Sequence, residues 1–159
     1  MARFFTQYWS NPTYKLHAES DWEGDLFYHT AGEQFTRRGV KEGDSIYGVT
    51  ILKGKLYLLG KMKIGEIIYS DDEAAQKIEY EPYPASEHLF AELCTPMTFD
   101  NEVPIEVTKG LKFRTAQGYN GLKFVSEDHL DTQTLRSIRQ LHSMSAEKLD
   151  AYLEEPATP

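Results

Sequence analysis

Hydrophobic positions along this chain cluster in short β-forming runs cut by Gly-, Asn- and Pro-containing breaks. Arg3 to Trp9 is rich in aromatic and β-forming residues and predicts a first strand, ended by the turn cluster Ser10-Asn11-Pro12-Thr13. Leu26 to Thr30 predicts a second, shorter strand. Asp44 to Leu52 carries Ile46, Tyr47, Val49 and Ile51, and after the Lys53-Gly54 break Lys55 to Ile68 resumes the pattern. Together these predict a β-hairpin, the strongest local signal in the chain. Gly60 and Gly65 interrupt its second arm, and glycine inside a strand marks a bulge, a bend or a close approach. Beyond the hairpin, Ser70 to Lys77 reads as a short helix or turn. Ser86 to Cys94 reads as a turn or two of helix capped by Ser86. Val103 to Val107, Leu111 to Thr115 and Leu122 to Val125 are strand candidates. Leu135, Ile138 and Leu141 follow helical spacing, which predicts a helix over 132–142 capped by Asp131. Ser145 then caps a second helix over 146–153. Pro156 and Pro159 predict a frayed tail.

Strands come first and helices last, without the βαβα alternation of a parallel doubly wound sheet. The expected fold is therefore mainly β (α+β). It is a small pseudo-barrel or bent mixed sheet flanked by short helices, with two helices at the C-terminus. One domain over 1–155 and a flexible tail over 156–159 account for all 159 residues.

Composition narrows the function classes. No stretch approaches the ~18 to 20 apolar residues of a spanning helix, and the first ten residues lack the pattern of a signal peptide, so no membrane partner is expected. Cys94 is the only cysteine. An internal disulfide is excluded and a reducing cytoplasm is the natural location. The five histidines show no ligand spacing, and no nucleophile elbow, P-loop or dinucleotide motif occurs, so neither metal nor cofactor is expected.

A net charge of −8 argues at first against a polyanionic partner. Its distribution changes that. Residues 70–106 hold ten acidic side chains and one basic, whereas 34–65 hold seven basic and two acidic. The expectation is one acidic face and one basic face near the hairpin.

The run from His29 to Tyr47 contains Arg37-Arg38, a turn, then Lys41-Glu42-Gly43-Asp44 leading into a strand. With the aromatic pair Tyr8-Trp9 on the first strand and Leu58-Leu59-Gly60-Lys61-Met62 on a later one, this arrangement resembles the PUA-like superfamily, and within it the EVE- and ASCH-like domains. The resemblance covers roughly residues 3 to 69. It implies a pseudo-barrel whose aromatic-lined cleft binds nucleic acid, DNA or RNA, extending to a modified base. An extruded base needs aromatic faces and edge-reading groups. The residues that would supply them are Trp9, Trp22, Tyr28, His29, Thr30, Gly32 and Phe35, with Asp21 and Asp25 beside Trp22. Arg37, Arg38 and Lys61 would hold flanking phosphates.

For most of these a bland reading competes: Trp9 as core, His29 as a satisfied structural histidine, the arginines as solvated surface. Two other functions stay open. One is an ASCH-like hydrolase or ribonuclease on the same barrel, which would need Lys61, Arg38 and an acid to converge. The other is a protein-interaction module using the acidic 70–106 segment.

Overall fold

A computed structural model describes residues 2–20, 22–78, 80 and 84–159. In chain order it contains β1 (Phe4–Tyr8), α1 (Asn11–Ala18), β2 (His29–Gly32), a 3-10 turn (Thr36–Arg38), β3 (Ser45–Leu52), β4 (Lys55–Ile68), α2 (Asp71–Ala75), β5 (Glu87–Cys94), α3 (Ile105–Gly110), β6 (Phe113–Thr115), β7 (Gly118–Asn120), β8 (Phe124–Ser126), β9 (His129–Leu130), β10 (Ile138–Leu141) and α4 (Ser143–Asp150). The fold is mainly β. Eight strands form one mixed sheet in the order β2-β5-β4-β3-β1-β10-β6-β7, with β1 parallel to β3.

The predicted hairpin is β3–β4. Lys53 and Gly54 both have positive φ, 50° and 76°, the two-residue turn geometry that matches strand twist. The two glycines that interrupt β4 do mark irregularities. The register shifts between Gly48 and Val49, where Gly48 lies opposite Gly60, and again between Ile64 and Glu66, across Gly65. The Gly48–Gly60 pair leaves a slot in the sheet surface that the Phe27 ring occupies. A Cβ on Gly60 would lie 3.3 Å from Phe27 Cβ and Cδ2, and one on Gly48 would lie 3.6 Å from Phe27 Cε2 and Cζ.

Burial divides into two clusters on opposite faces of the sheet. Phe5, Trp9, Phe27, Phe35, Ile46, Leu59, Met62 and Ile64 form one. Tyr47, Val49, Ile51, Leu56, Leu58, Leu111, Phe113 and Leu149 belong to the other. The sheet also curls. β2 and β1 are separated in sheet order by β5, β4 and β3, yet Gln7 on β1 reaches β2: Nε2 donates to the Ala31 carbonyl at 3.2 Å and Oε1 accepts from Thr30 Oγ1 at 2.7 Å. A side-chain amide spans the gap where backbone bonds would close a barrel, so the sheet is bent but open.

Several expected elements differ. Ser10–Thr13 starts a helix instead of merely ending a strand. Ser10 Oγ accepts from the Thr13 amide, and Pro12 sits in the first turn where its missing N–H costs nothing. The second half of Val103–Val107 is the helix α3. Ser86–Cys94 is a strand, paired on one side with β2 and on the other with β4, so two ladders override its weak helical signal. Only one of the two expected C-terminal helices exists. Residues 132–142 form a turn and then β10, an interior strand between β1 and β6. Leu135, Ile138 and Leu141 are all buried, as their spacing suggests. Strand residues three apart point to opposite faces, and Ile138 and Leu141 serve the two different cores. At the C-terminus, where fraying was expected, Ala157 makes paired backbone bonds with Cys94 at 2.8 and 2.9 Å.

Two substitutions test this packing. Gly60→Ala should lower unfolding stability by about 1–3 kcal/mol, because the added methyl meets Phe27 in a slot with no slack. Thr6 Oγ1 is the only buried side-chain polar atom without a partner among the described residues. Thr6→Val should therefore leave stability unchanged or raise it by about 1 kcal/mol. Urea denaturation read by circular dichroism checks both.

Candidate functional site

The aromatic residues singled out from sequence are drawn together where β2 begins. His17 on α1 stands between the two tryptophans, its ring centroid 4.9 Å from Trp9 and 4.1 Å from Trp22. Trp22 lies 4.9 Å from Tyr80, and Tyr80 lies 6.2 Å from Tyr28 and 5.8 Å from His29. Trp22, Tyr28 and Tyr80 are partly exposed, whereas Trp9 is in the core. Asp25 is exposed, and Asp21 lies outside the described residues.

Beneath these rings runs a chain of hydrogen bonds. Tyr80 Oη is 2.7 Å from His29 Nδ1, His29 Nε2 is 3.0 Å from His88 Nδ1, and His88 Nε2 is 2.6 Å from Asp71 Oδ1. One proton arrangement satisfies every link with Asp71 ionised and both imidazoles neutral. Asp71 accepts from His88 Nε2–H, His88 Nδ1 accepts from His29 Nε2–H, and His29 Nδ1 accepts from the Tyr80 hydroxyl. Each tautomer is fixed by the next group, starting from a half-exposed carboxylate and ending at a phenol among aromatic rings. Burial, and then the neighbouring His88, lower the His29 pKa to about 4. Hydrogen bonds from the Ala85 amide and from His88 lower that of Asp71. Burial, and then Tyr28, raise that of Tyr80, so its hydroxyl stays protonated.

The remaining candidates divide. Thr30 spends its hydroxyl on Gln7. Gly32 is packed by Phe35 instead of opening its backbone to a ligand: a Cβ there would lie 2.8 Å from Phe35 Cε2, and Phe35 itself is fully buried. Arg37 and Arg38 project, exposed, from the 3-10 turn. That turn is held from within by Glu87, a buried carboxylate that accepts from the Phe35 amide at 2.7 Å, the Thr36 amide at 3.0 Å and the Thr36 hydroxyl. Lys61 is not part of this group. It lies across from Tyr47 on the opposite face of the sheet, with Nζ 2.9 Å from Asp150 Oδ1 and over the Tyr47 ring. Tyr80, His17, His88 and Asp71 are the participants that sequence reasoning missed. They come from separate segments, and nothing in their spacing announces contact.

The seven cations of 34–65 do not form one face. Lys61 is paired with Asp150 and Lys63 with Glu92, and Lys55 donates to the Asp128 carbonyl. The hairpin also places Lys53 ~25 Å from the end that carries Lys63. The Lys41–Asp44 turn behaves as its residues suggest. Gly43 has φ of 92°, and Asp44 accepts from the Lys41 and Arg3 amides at 2.9 and 2.8 Å. An open cavity of about 570 Å³ lies beside it. The acids of 70–106 are likewise dispersed, with Glu87 inside the fold and Glu92 and Asp71 engaged locally. Among the described residues no group of three His, Cys, Asp or Glu side chains could hold a metal ion. No helix among them is long and apolar enough to cross a membrane. No family model matches the chain, and no curated protein matches it.

The His29 environment makes a pH prediction. A folded pKa below the unfolded value of 6.5 means that the unfolded chain takes up the proton first. The contribution of His29 to stability is therefore complete above about pH 6.5 and is lost as pH falls toward 4. A shift of this size is worth on the order of 3 kcal/mol. The Asp71 contribution is lost in a separate, lower window, as pH falls below its ordinary value of 3.8. Urea midpoints measured from pH 7.5 to 4.5 should decline, and His29→Gln should remove most of that decline.

Proposed function

We propose that this protein is a nucleic-acid-binding module that stacks a base on the Trp22–Tyr28–Tyr80 aromatic group, with Arg37 and Arg38 meeting adjacent phosphates. The observation that carries this reading is the gathering of partly exposed rings from three separate segments around His29, on the strand that leads into the arginine-bearing turn. Aromatic faces accept any base, and basic side chains beside them follow the backbone, which is the physical requirement for binding an unpaired or extruded nucleotide. The resemblance of residues 3–69 to EVE-like domains supports the same reading and extends it to a modified base, whose added substituent would rest against the rings.

The hydrogen-bond relay favours binding over hydrolysis. It ends at a phenol whose pKa is raised, so it supplies no activated nucleophile at neutral pH. The hydrolase alternative also needed Lys61 beside Arg38, and Lys61 is on the other face of the sheet.

Fluorescence polarisation with single-stranded DNA and RNA oligonucleotides, each with and without a modified base, tests the proposal at low and moderate salt. Stacking is worth about 1–3 kcal/mol per base, so Trp22→Ala should weaken binding by about tenfold. Absence of binding to every oligonucleotide at low salt overturns the reading.

A further inference from the structure

Arg38 does not stand alone at the end of its turn. Gln34, which precedes the turn, is linked to the 131–137 segment: Ser137 Oγ is 3.4 Å from Gln34 Oε1. The neighbouring strand β10 presents Arg139, whose guanidinium lies 4.9 Å over the Phe113 ring and donates to the Thr134 carbonyl at 2.7 Å. Arg139 lines an open cavity of about 570 Å³ between the β6–β7 hairpin and the 131–139 segment. Lys123 and Arg136 line it too, and so do the polar side chains of Asn120 and Gln133. One carboxylate, Asp131, faces the same space, and one of its oxygens already accepts from the Gln133 amide at 2.9 Å.

Among the described residues none of Arg38, Lys123, Arg136 and Arg139 forms an ion pair. This contrasts with Lys61, Lys63 and Lys77, each of which has an acid in contact. The positive charge of Arg38 also reaches Arg139 and, after burial, helps to lower its pKa. A guanidinium that is partly buried, braced on an aromatic ring and repelled by a second arginine is prepared for an anion. The chemistry of the cavity selects the kind of anion. Planar guanidinium donors favour a phosphate or carboxylate, the neutral amides suit ester and sugar oxygens, and the volume exceeds what an inorganic ion needs.

We infer that the cavity lined by Lys123, Arg136 and Arg139, with Arg38 at its margin, is a phosphate site that holds the sugar-phosphate portion of a nucleotide. In its use for a polynucleotide, this inference rests on the function proposed above. The backbone then continues from the aromatic rings past the 37–38 turn onto β10.

Lys123 and Arg136 are exposed and hydrogen-bond through their backbones, with no ion pair or hydrogen bond from their side chains among the described residues, so the double variant Lys123→Gln/Arg136→Gln should fold normally, which thermal melts check. Oligonucleotide affinity of this variant should fall about tenfold for all sequences, and the salt slope of log K should lessen by about 1.4, about 0.7 for each of the two cations removed. Trp22→Ala should alter base preference and leave the salt slope unchanged. Nuclear magnetic resonance titrations with adenosine monophosphate and with inorganic phosphate separate the sources of the anion. The nucleotide should shift the Arg136 and Arg139 side-chain signals at lower concentration than inorganic phosphate does. If oligonucleotides bind the double variant with wild-type affinity and slope, the phosphate site is overturned and the function proposed above survives. If adenosine monophosphate shifts these signals and no oligonucleotide binds, the site stands and that function falls. If no phosphate compound shifts them, the inference is wrong.

Discussion

The architecture depends on one close approach. Phe27 lies in the slot made by two glycines facing each other across the central hairpin, Gly48 on β3 and Gly60 on β4. A methyl on Gly60 would press on the Phe27 ring, against which Trp9 packs edge-on at 6.0 Å, whereas a methyl on Gly48 would only touch it. At the same point the register shifts. On the turn side of the bulge, Leu56 and Leu58 serve one core. Beyond it, Met62 and Ile64, also at even positions, serve the other. A single long strand thereby contributes to both hydrophobic clusters, so a chain of this size can be covered on two faces.

The same bend decides which surface groups meet. Curling brings the free edge at β2 within reach of Gln7, so that one amide links two strands that are four places apart in the sheet. It also brings the turn that carries Arg37 and Arg38 close to β10. Glu87 stabilises that turn from inside by accepting three hydrogen bonds, an arrangement that removes one carboxylate from the surface and orders the backbone of two exposed arginines. Elsewhere acids are matched locally: Asp150 with Lys61, Glu92 with Lys63, Glu66 with Lys77, and Asp71 with His88. Lys123, Arg136 and Arg139 line one cavity and none of them forms an ion pair among the described residues, so a protein of net charge −8 still has a locally cationic surface there.

Much of the fold was legible because it is written in local chemistry. The Lys53-Gly54 and Gly43–Asp44 turns depend on left-handed backbone conformations that few residues adopt, and Gly60 and Gly65 on close approaches that crowd any side chain. The aromatic group was legible in part: Trp22, Tyr28 and His29 could be named from their types and neighbours. Tyr80, His17, His88 and Asp71 could not, since contact between segments leaves no mark in spacing. The 132–142 segment misled because an i, i+3 pattern of apolar residues has two physical meanings. It is one face of a helix, or both faces of a strand buried on two sides.

The sequence by itself determined the mainly β class, the hairpin and its irregularities, the burial of Leu135, Ile138 and Leu141, and the segmental charge. Tertiary structure alone decided which side each group faces. Lys61 shows why. Counting by alternation from Leu56 and Leu58 puts it on the side of Leu59, with the aromatic residues. The extra residue at the Gly60 bulge reverses the parity and sends it to Tyr47 and Asp150. A strand has period two, so one inserted residue exchanges its faces, and no local preference records on which side of the bulge a charge will fall.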